Sequence, residues 1–479
     1  MGMDKKAVFS ALIIFLAVFL YGLCFAESFT RIASDGFGNS DNRYAWSMSE
    51  FTPEAGEETG TKFLYVGTRN QQCDGAGELH RMNVETGVWE AVTTVGFGER
   101  ANKGVRNLIV YETESGKGLY AGTFNMLSGA QMWRSFDGMK WRRVSYSGFK
   151  QRVWPNAGTR GAAVIGEHLY IGTSNDRWGL PVPPTLMRFK EVNRLAFDIV
   201  DWNKSWEYCI KKGDKNHAPT NKAFADIFQF TDTHGVTLMY STVWNALDGC
   251  KIYASVTGDP GTWYPVMTNG FGHTSTAGIL SVIEYNGYIY CGTGDNVRGC
   301  GLYRSNEPSN PDSWERISIN PGLWEQIRPT ITLPPKLAEA VDAAEEIDGL
   351  GYGPISRYTW SMVEYNGSLY IATYNPPTDL LPGYLRGAFI YKSSDGVNWV
   401  QVLGPQAVAA TDPMKIELSG GFNDIVNVGI RTTIVIDGKL YLGTATRPED
   451  FEGQHGCEIW VMDHVKYGLW INRKSWTRF

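Results

Sequence analysis

Past residue 26 this 479-residue chain has no apolar run long enough to cross a bilayer as a helix, so no stable membrane span is expected once its first residues are removed. It also lacks a positive excess. Its 44 Lys and Arg face 50 Asp and Glu, and the formal charge of -6 gives a phosphate backbone no general attraction, which excludes nucleic acid as an expected partner. The 7 histidines are scattered singly, without a zinc-type cysteine set, Gly-rich phosphate loop, nucleophile elbow or haem attachment motif. No metal and no cofactor are therefore expected. Helical periodicity is scarce, its best example being Leu337 to Ile347.

Glycine and aromatic residues are abundant, with 54 Gly, 17 Trp and 24 Tyr, the composition of bladed or barrel-like β architectures. Residues 1–26 read as a signal peptide: Lys5 and Lys6, an apolar run from Ala7 through Phe25, then Ala26. The alternatives are an uncleaved anchor and lipid attachment at Cys24, although Tyr21, Gly22 and Leu23 fit the latter poorly. A secreted, periplasmic or cell-surface location follows as the expectation. The remaining cysteines, at 73, 209, 250, 291, 300 and 457, are then free to form disulfides.

Residues 27–479 read as one domain built from a repeat. An apolar-Tyr pair followed by Gly-Thr or a near match recurs at Leu64-Tyr65, Leu119-Tyr120, Leu169-Tyr170, Ile289-Tyr290, Leu369-Tyr370 and Leu440-Tyr441, with a degenerate copy at Met239-Tyr240. Before each lies an apolar or alternating stretch, and turns such as Asn366-Gly367 and Asp437-Gly438 join the two into a hairpin. A third strand follows, as at Met132 to Ser135 and Ile390 to Ser393, then a turn into a short fourth strand that carries a Trp. Four-stranded units repeated about seven times bury their faces by stacking around an axis. The predicted fold is all-β, a seven-bladed β-propeller of four-stranded antiparallel blades.

The turns SFDGMKW (Ser135 to Trp141) and SSDGVNW (Ser393 to Trp399) resemble the Asp-box of bacterial-neuraminidase-like (BNR) propellers, with partial matches at Asn83 to Trp89 and Ser305 to Trp314. The resemblance implies a folding element: Asp and Ser bond turn amides, Gly takes a positive φ, and Trp packs between sheets. It carries no catalytic implication. The wider unit, with GFG and Asn after the fourth strand, is similar to a family of exported bacterial and archaeal repeats. Sialidases would add an Arg-Ile-Pro motif in the first blade, which is missing here, and usually have six blades.

Asp35 to Gly38 matches Val95 to Arg100, so the mature chain begins with a fourth strand at Phe29 to Ile32. That strand can complete the last unit and close the ring, Ser475 to Phe479 being the rival. Cys73 and Cys457 would then lie side by side at the seam and are the leading disulfide candidate. Cys291 with Cys300 and Cys209 with Cys250 are further pairs, and small buried thiols are the alternative for all of them.

Loops that open on the axial face carry the candidate site: Arg43, Trp46, Arg106, Arg160, Arg357, Tyr358, Trp360, Asp424, Asn427 and Arg431. Converging guanidinium groups suit carboxylate, sulfate or phosphate, and Trp or Tyr stacks on sugar rings. A recurrent Arg or Asn also serves its own loop, and that alternative stays open. Acids for a glycosidase would have to come from Asp41, Asp226 and Asp424. Insertions around Trp178, at 322–355 with the helix, and at Gln406 to Gly421 offer a lid or a partner surface. The expected function is a non-catalytic binding module for an acidic glycan or a protein partner. The alternatives are a sialidase-like or other hydrolase or lyase acting on acidic sugars, and a structural part of a cell-surface assembly.

Overall fold

The computed structural model describes residues 27–72, 75–149, 155–175, 182–193, 200–376, 385–405, 419–447 and 455–464. The signal segment, Cys73, the Trp178 loop, most of the Gln406 to Gly421 insertion and the strand expected at Ser475 to Phe479 lie outside them. The protein is all-β and antiparallel, and no helix among the described residues is long and apolar enough to cross a membrane.

Strand β1 (Glu27–Ala33) is followed by six four-stranded meanders. They are β2 (Asn42–Phe51) to β5 (Trp89–Ala91), β6 (Gly104–Thr113) to β9 (Arg142–Arg143), and β10 (Gly158–Ile165) to β13 (Trp206–Ile210). Then come β14 (Ala223–Thr231) to β17 (Tyr264–Met267), β18 (Thr276–Tyr285) to β21 (Glu315–Ile317), and β22 (Tyr358–Tyr365) to β25 (Val400–Leu403). The degenerate unit around Met239 thus has its four strands. The last ladder holds β26 (Asn427–Ile436), β27 (Lys439–Thr446) and β28 (Ile459–His464), and β1 pairs antiparallel with β28, Phe29 opposite Met462. A bridge between Tyr44 and Ala445 joins β27 to β2.

Side-chain chemistry explains the repeat. The hairpin turns at Asn286-Gly287, Asn366-Gly367 and Asp437-Gly438 have positive φ at both residues, the conformation that two-residue hairpins require. The core lies between successive meanders: Phe51, Phe63 and Tyr65 of the first pack with Leu108, Leu119 and Ala121 of the second. Tyr65 is fully buried against Gly138 of the next meander, where a Cβ would stand 1.9 Å from its hydroxyl, and Tyr290 meets Gly396 in the same way. The apolar-Tyr pair and the Asp-Gly turn are therefore two halves of one contact. In both turns the Asp carboxylate accepts the following amides, Met139 N and Lys140 N at Asp137, Val397 N and Asn398 N at Asp395. Ser255 to Trp263, where no such turn is expected from sequence, has the same geometry: Gly258 at φ 73 donates its N–H to Ser255 Oγ and faces Tyr170.

The GFG segments and their Gly-Phe counterparts at Phe149 and Phe422 form tight turns in which Phe itself has positive φ: Phe37, Phe97, Phe149, Phe271 and Phe422 lie between 55 and 64°. Four of the rings stack on third-strand side chains, Phe97 on Trp133 at 5.0 Å and Phe422 on Trp460 at 4.3 Å among them, whereas Phe149 meets the fourth-strand Trp206 edge-on. The Asn that follows donates back to the Gly carbonyl, at Asn42 to Gly36, Asn102 to Gly96, Asn156 to Gly148 and Asn427 to Gly421.

Three expectations are corrected. Cys209, Cys250, Cys291, Cys300 and Cys457 are buried free thiols, not disulfide partners. Cys250, Cys300 and Cys457 take the small-residue position that Ala130 fills in the second meander, and burial raises their pKa well above that of an exposed thiol. The helix in the 322–355 insertion is shorter than its periodicity suggests. After α1 (Leu323–Ile327), α2 covers only Pro335–Asp342, because Glu346 and Asp348 turn back to Arg298 and Arg316. The insertion packs Trp324, Val341, Leu350 and Tyr352 between the fifth and sixth meanders, and none of its residues lines the cavity described below.

Candidate functional site

In each of the seven inner strands a bulge interrupts the pairing with the second strand at an equivalent position, and β2, β18 and β26 carry a further register shift nearer their starts. The shift falls at Trp46 in β2, Arg106 in β6, Arg160 and Gly161 in β10, and Ala225 in β14. In β18, β22 and β26 it falls at Leu280, Trp360 and Arg431. A bulge re-aims its extra side chain. Here Trp46, Arg106, Arg160, Trp360 and Arg431 all line one cavity of about 600 Å³.

The residue after the bulge ties the inner strand to the next meander. Ser47 Oγ donates to Val105 O at 2.9 Å, Asn107 Nδ2 to Arg160 O at 2.6 Å, and Ser281 Oγ to Thr359 O and Ser361 Oγ to Ile430 O, both at 3.0 Å. Asp226 holds this position in β14 and accepts the Val282 N–H at 3.1 Å. Burial raises its pKa to about 6, against the opposing pull of Arg431 and Arg160.

Aromatic rings wall the cavity in a continuous arc. Phe124 meets Trp46 at 5.5 Å, Trp46 meets Tyr44 at 6.2 Å, Tyr44 meets Trp360 at 5.8 Å, and Tyr358 links Trp360 to Trp244. Gly104 and Gly429 make room for the two Trp rings, since a Cβ on either would stand 2.4 Å from the Cζ3 of Trp46 or Trp360. Six cations complete the lining: Arg69, Arg106, Arg160, Lys222, Arg431 and Arg447. The five guanidinium groups lie over rings, with Arg106 4.9 Å from Trp46, Arg160 4.7 Å from Trp244 and Arg431 5.3 Å from Trp360. No carboxylate is among the described lining residues. Arg106 donates to Ser174 Oγ at 3.0 Å. Arg431 makes no hydrogen bond or ion pair with a described residue, and burial together with the Arg106 charge pushes its pKa down to about 9.

Six residues singled out from the sequence thus meet in the cavity: Trp46, Arg106, Arg160, Tyr358, Trp360 and Arg431. Four do not. Arg43 is buried beside Asp41 at 3.8 Å, and Arg357 stands one residue outside β22. Asn427 is committed to Gly421 O and Glu458 Oε2. Asp424 accepts from His455 Nε2 at 2.7 Å, a bond that raises the His455 pKa to about 9. Asp424, His455 and Glu458 come within 4.8 Å of one another, but both Glu458 oxygens already accept hydrogen bonds, from Arg31 and from Asn427 and Trp460. Of the three acids considered, Asp41 accepts from Gln72, Asp226 from backbone, and Asp424 from His455; none lines the cavity. Sequence reasoning missed Tyr44, Arg69, Phe124, Lys222, Trp244, Tyr374 and Arg447. For three of them a signal existed: Arg69, Phe124 and Tyr374 each follow the Gly-Thr or Ala-Thr pair that ends the second strand.

No family model matches the chain, and no curated protein matches its sequence. Among solved structures it is similar to a lectin of Aleuria aurantia in complex with alpha-methyl-L-fucoside, at 10% identity over 77% of this chain and 97% of that one, TM-score 0.38. A putative 6-phosphogluconolactonase of Bacteroides uniformis gives 13% identity over 81% and 90%, TM-score 0.42. A Trypanosoma rangeli sialidase mutant gives 13% over 74% and 53%, TM-score 0.37. The functional reading therefore rests on the cavity's own chemistry.

Proposed function

We propose that the chain is an exported, closed seven-bladed propeller whose axial cavity binds an acidic carbohydrate without turning it over. The β1–β28 ladder and the Tyr44–Ala445 bridge support closure, the seventh blade being completed by the amino-terminal strand. The observation that carries the functional reading is that the bulge residues Arg106, Arg160 and Arg431 line one aromatic-walled cavity. No carboxylate is among its described lining residues, and Arg431 makes no hydrogen bond or ion pair with a described residue, while burial and the Arg106 charge outweigh the pull of Tyr44 and Asp226 on it. Such an arrangement is costly unless an anion occupies it. Guanidinium groups hold a carboxylate or sulfate in bidentate fashion, while Trp46, Trp360 and Tyr358 offer faces to a sugar ring. Binding is preferred to hydrolysis because the nearest raised-pKa carboxyl, Asp226, is engaged by the amides of Ile227 and Val282.

Calorimetry with acidic and neutral glycans tests this reading. Acidic members should bind, and Arg431→Ala should weaken them at least about tenfold, the scale of one charged hydrogen bond. Unchanged binding in both Arg160→Ala and Arg431→Ala would remove the anion cavity.

A further inference from the structure

The cavity's cations stand at two heights. Arg106, Arg160 and Arg431 occupy bulges within the inner strands. Lys222 precedes Ala223, the first residue of β14, and so stands three residues above that strand's bulge at Ala225. At about 3.3 Å per residue this is roughly 10 Å along the strand. Arg447 follows the last residue of β27 and lies 5.7 Å over Tyr374, which pairs with Tyr358 where β22 begins. Arg69 pairs with Tyr44, above the bulged Trp46, and lies 5.1 Å over each of those rings. Lys222 and Arg69 make no side-chain hydrogen bond or ion pair with a described residue.

A single anion cannot serve both levels. Seated between Arg106 and Arg431, it lies beyond hydrogen-bond reach of the level at which Lys222 and Arg447 leave their strands, whereas Arg69, which shares the Trp46 and Phe124 rings with Arg106, stands between the two levels. The aromatic arc spans the two levels, Trp46 and Trp360 at bulges and Tyr44 and Tyr358 two residues before them, and offers ring faces and no acceptor charge. We infer that the occupant carries at least two anionic groups joined by a sugar-ring body, one for the bulge arginines and one for the mouth cations. Its class is an acidic oligosaccharide, with uronate or sulfate on neighbouring residues, rather than a single acidic sugar. This rests on the anion-cavity reading above and extends it with a second subsite at the mouth.

Galacturonic acid and its α-1,4-linked dimer and trimer are suitable probes, titrated calorimetrically into the full chain. The dimer should bind about tenfold or more tightly than the monomer, with a steeper fall in affinity as salt rises, because a second charged contact is added. Lys222→Ala and Arg447→Ala should each weaken the dimer more than the monomer and so cut the dimer's advantage. Arg431→Ala should weaken both probes. Lys222→Glu, at a residue with no described side-chain partner, repeats the test by charge reversal, and melting curves confirm that each variant is folded. Equal affinities for monomer and dimer, or a dimer advantage that survives all three mouth variants, overturn the second subsite and leave the anion cavity standing. Failure of every acidic probe to bind overturns both.

Discussion

Asp226 shows how one carboxyl can couple packing to pH. Its folded pKa is raised from 3.8 to about 6, chiefly by burial. The fold therefore favours the protonated form. That contribution is fully present below about pH 3.8 and is lost as pH rises through 6. Asp226→Asn keeps only one of the two acceptor oxygens, so its stability relative to the parent should rise by up to about 2–3 kcal/mol between pH 3.5 and pH 7 to 8. Urea unfolding at the two pH values measures this, and a difference that does not change with pH refutes it. Gly138 and Gly396 belong to the same scale. Each has φ near 77° and abuts a tyrosine hydroxyl. Gly138→Ala adds about 1–2 kcal/mol of backbone strain to a steric conflict with Tyr65. Its melting temperature should fall by several degrees, and the double variant with Tyr65→Phe should recover part of the loss. Individual site residues were only partly legible in the sequence. Arg106 and Asn427 both stand near the start of inner strands, yet Arg106 is aimed by a bulge into the cavity, whereas Asn427 folds back onto Gly421. Loop position does not distinguish a side chain that faces a ligand from one that closes its own turn.

Among the elements, the hairpins were readable because period-two patterning and Asn-Gly or Asp-Gly turns are both local. The bulges were not. A bulge shifts register by one residue without altering composition, so Trp46 and Leu280 hold equivalent places while sharing no chemistry. The α2 helix was overextended because amphipathic spacing continues past Asp342, while the Arg298 and Arg316 ion pairs that end it are contacts distant in sequence. At the β26–β28 seam the ion pair of His455 with Asp424 gives an element-scale prediction. The His455 pKa is raised from 6.5 to about 9, so its contribution is complete below 6.5 and disappears as pH rises through 9. The Asp424 pKa is lowered, so its share is lost only in acid, below the ordinary carboxylate range. His455→Gln should cost about 1–2 kcal/mol at pH 6.5, discounted for partial exposure, and little at pH 10. Equal losses at both values would mean that packing, not charge, is what the imidazole supplies.

For the whole molecule, the repeat made the architecture legible from sequence because each unit states the same pattern and errors in one copy are corrected by the others. Even the unit at Met239, whose signature is worn, is four-stranded. The cavity was less legible, since it is assembled from strand ends far apart in sequence, Arg69 and Arg447 among them. A chain lacking residues 27–33 should lose the β1–β28 ladder and the Arg31–Glu458 pair. Its cooperative unfolding should broaden into two transitions, with the last ladder melting first, while a single transition at the parental temperature would show the ladder to be dispensable.

The pairing of β1 with β28 also sets a clock. Strand Glu27–Ala33 leaves the ribosome hundreds of residues before Ile459–His464, its partner. At roughly 5–20 residues per second, the first strand waits about 20–90 seconds with an unmatched edge. During that interval it is a sticky end for other nascent copies. The charged and polar residues Glu27, Ser28, Thr30 and Arg31 along so short a strand are what such a delay demands: a segment soluble enough to wait and specific enough to be claimed by one partner.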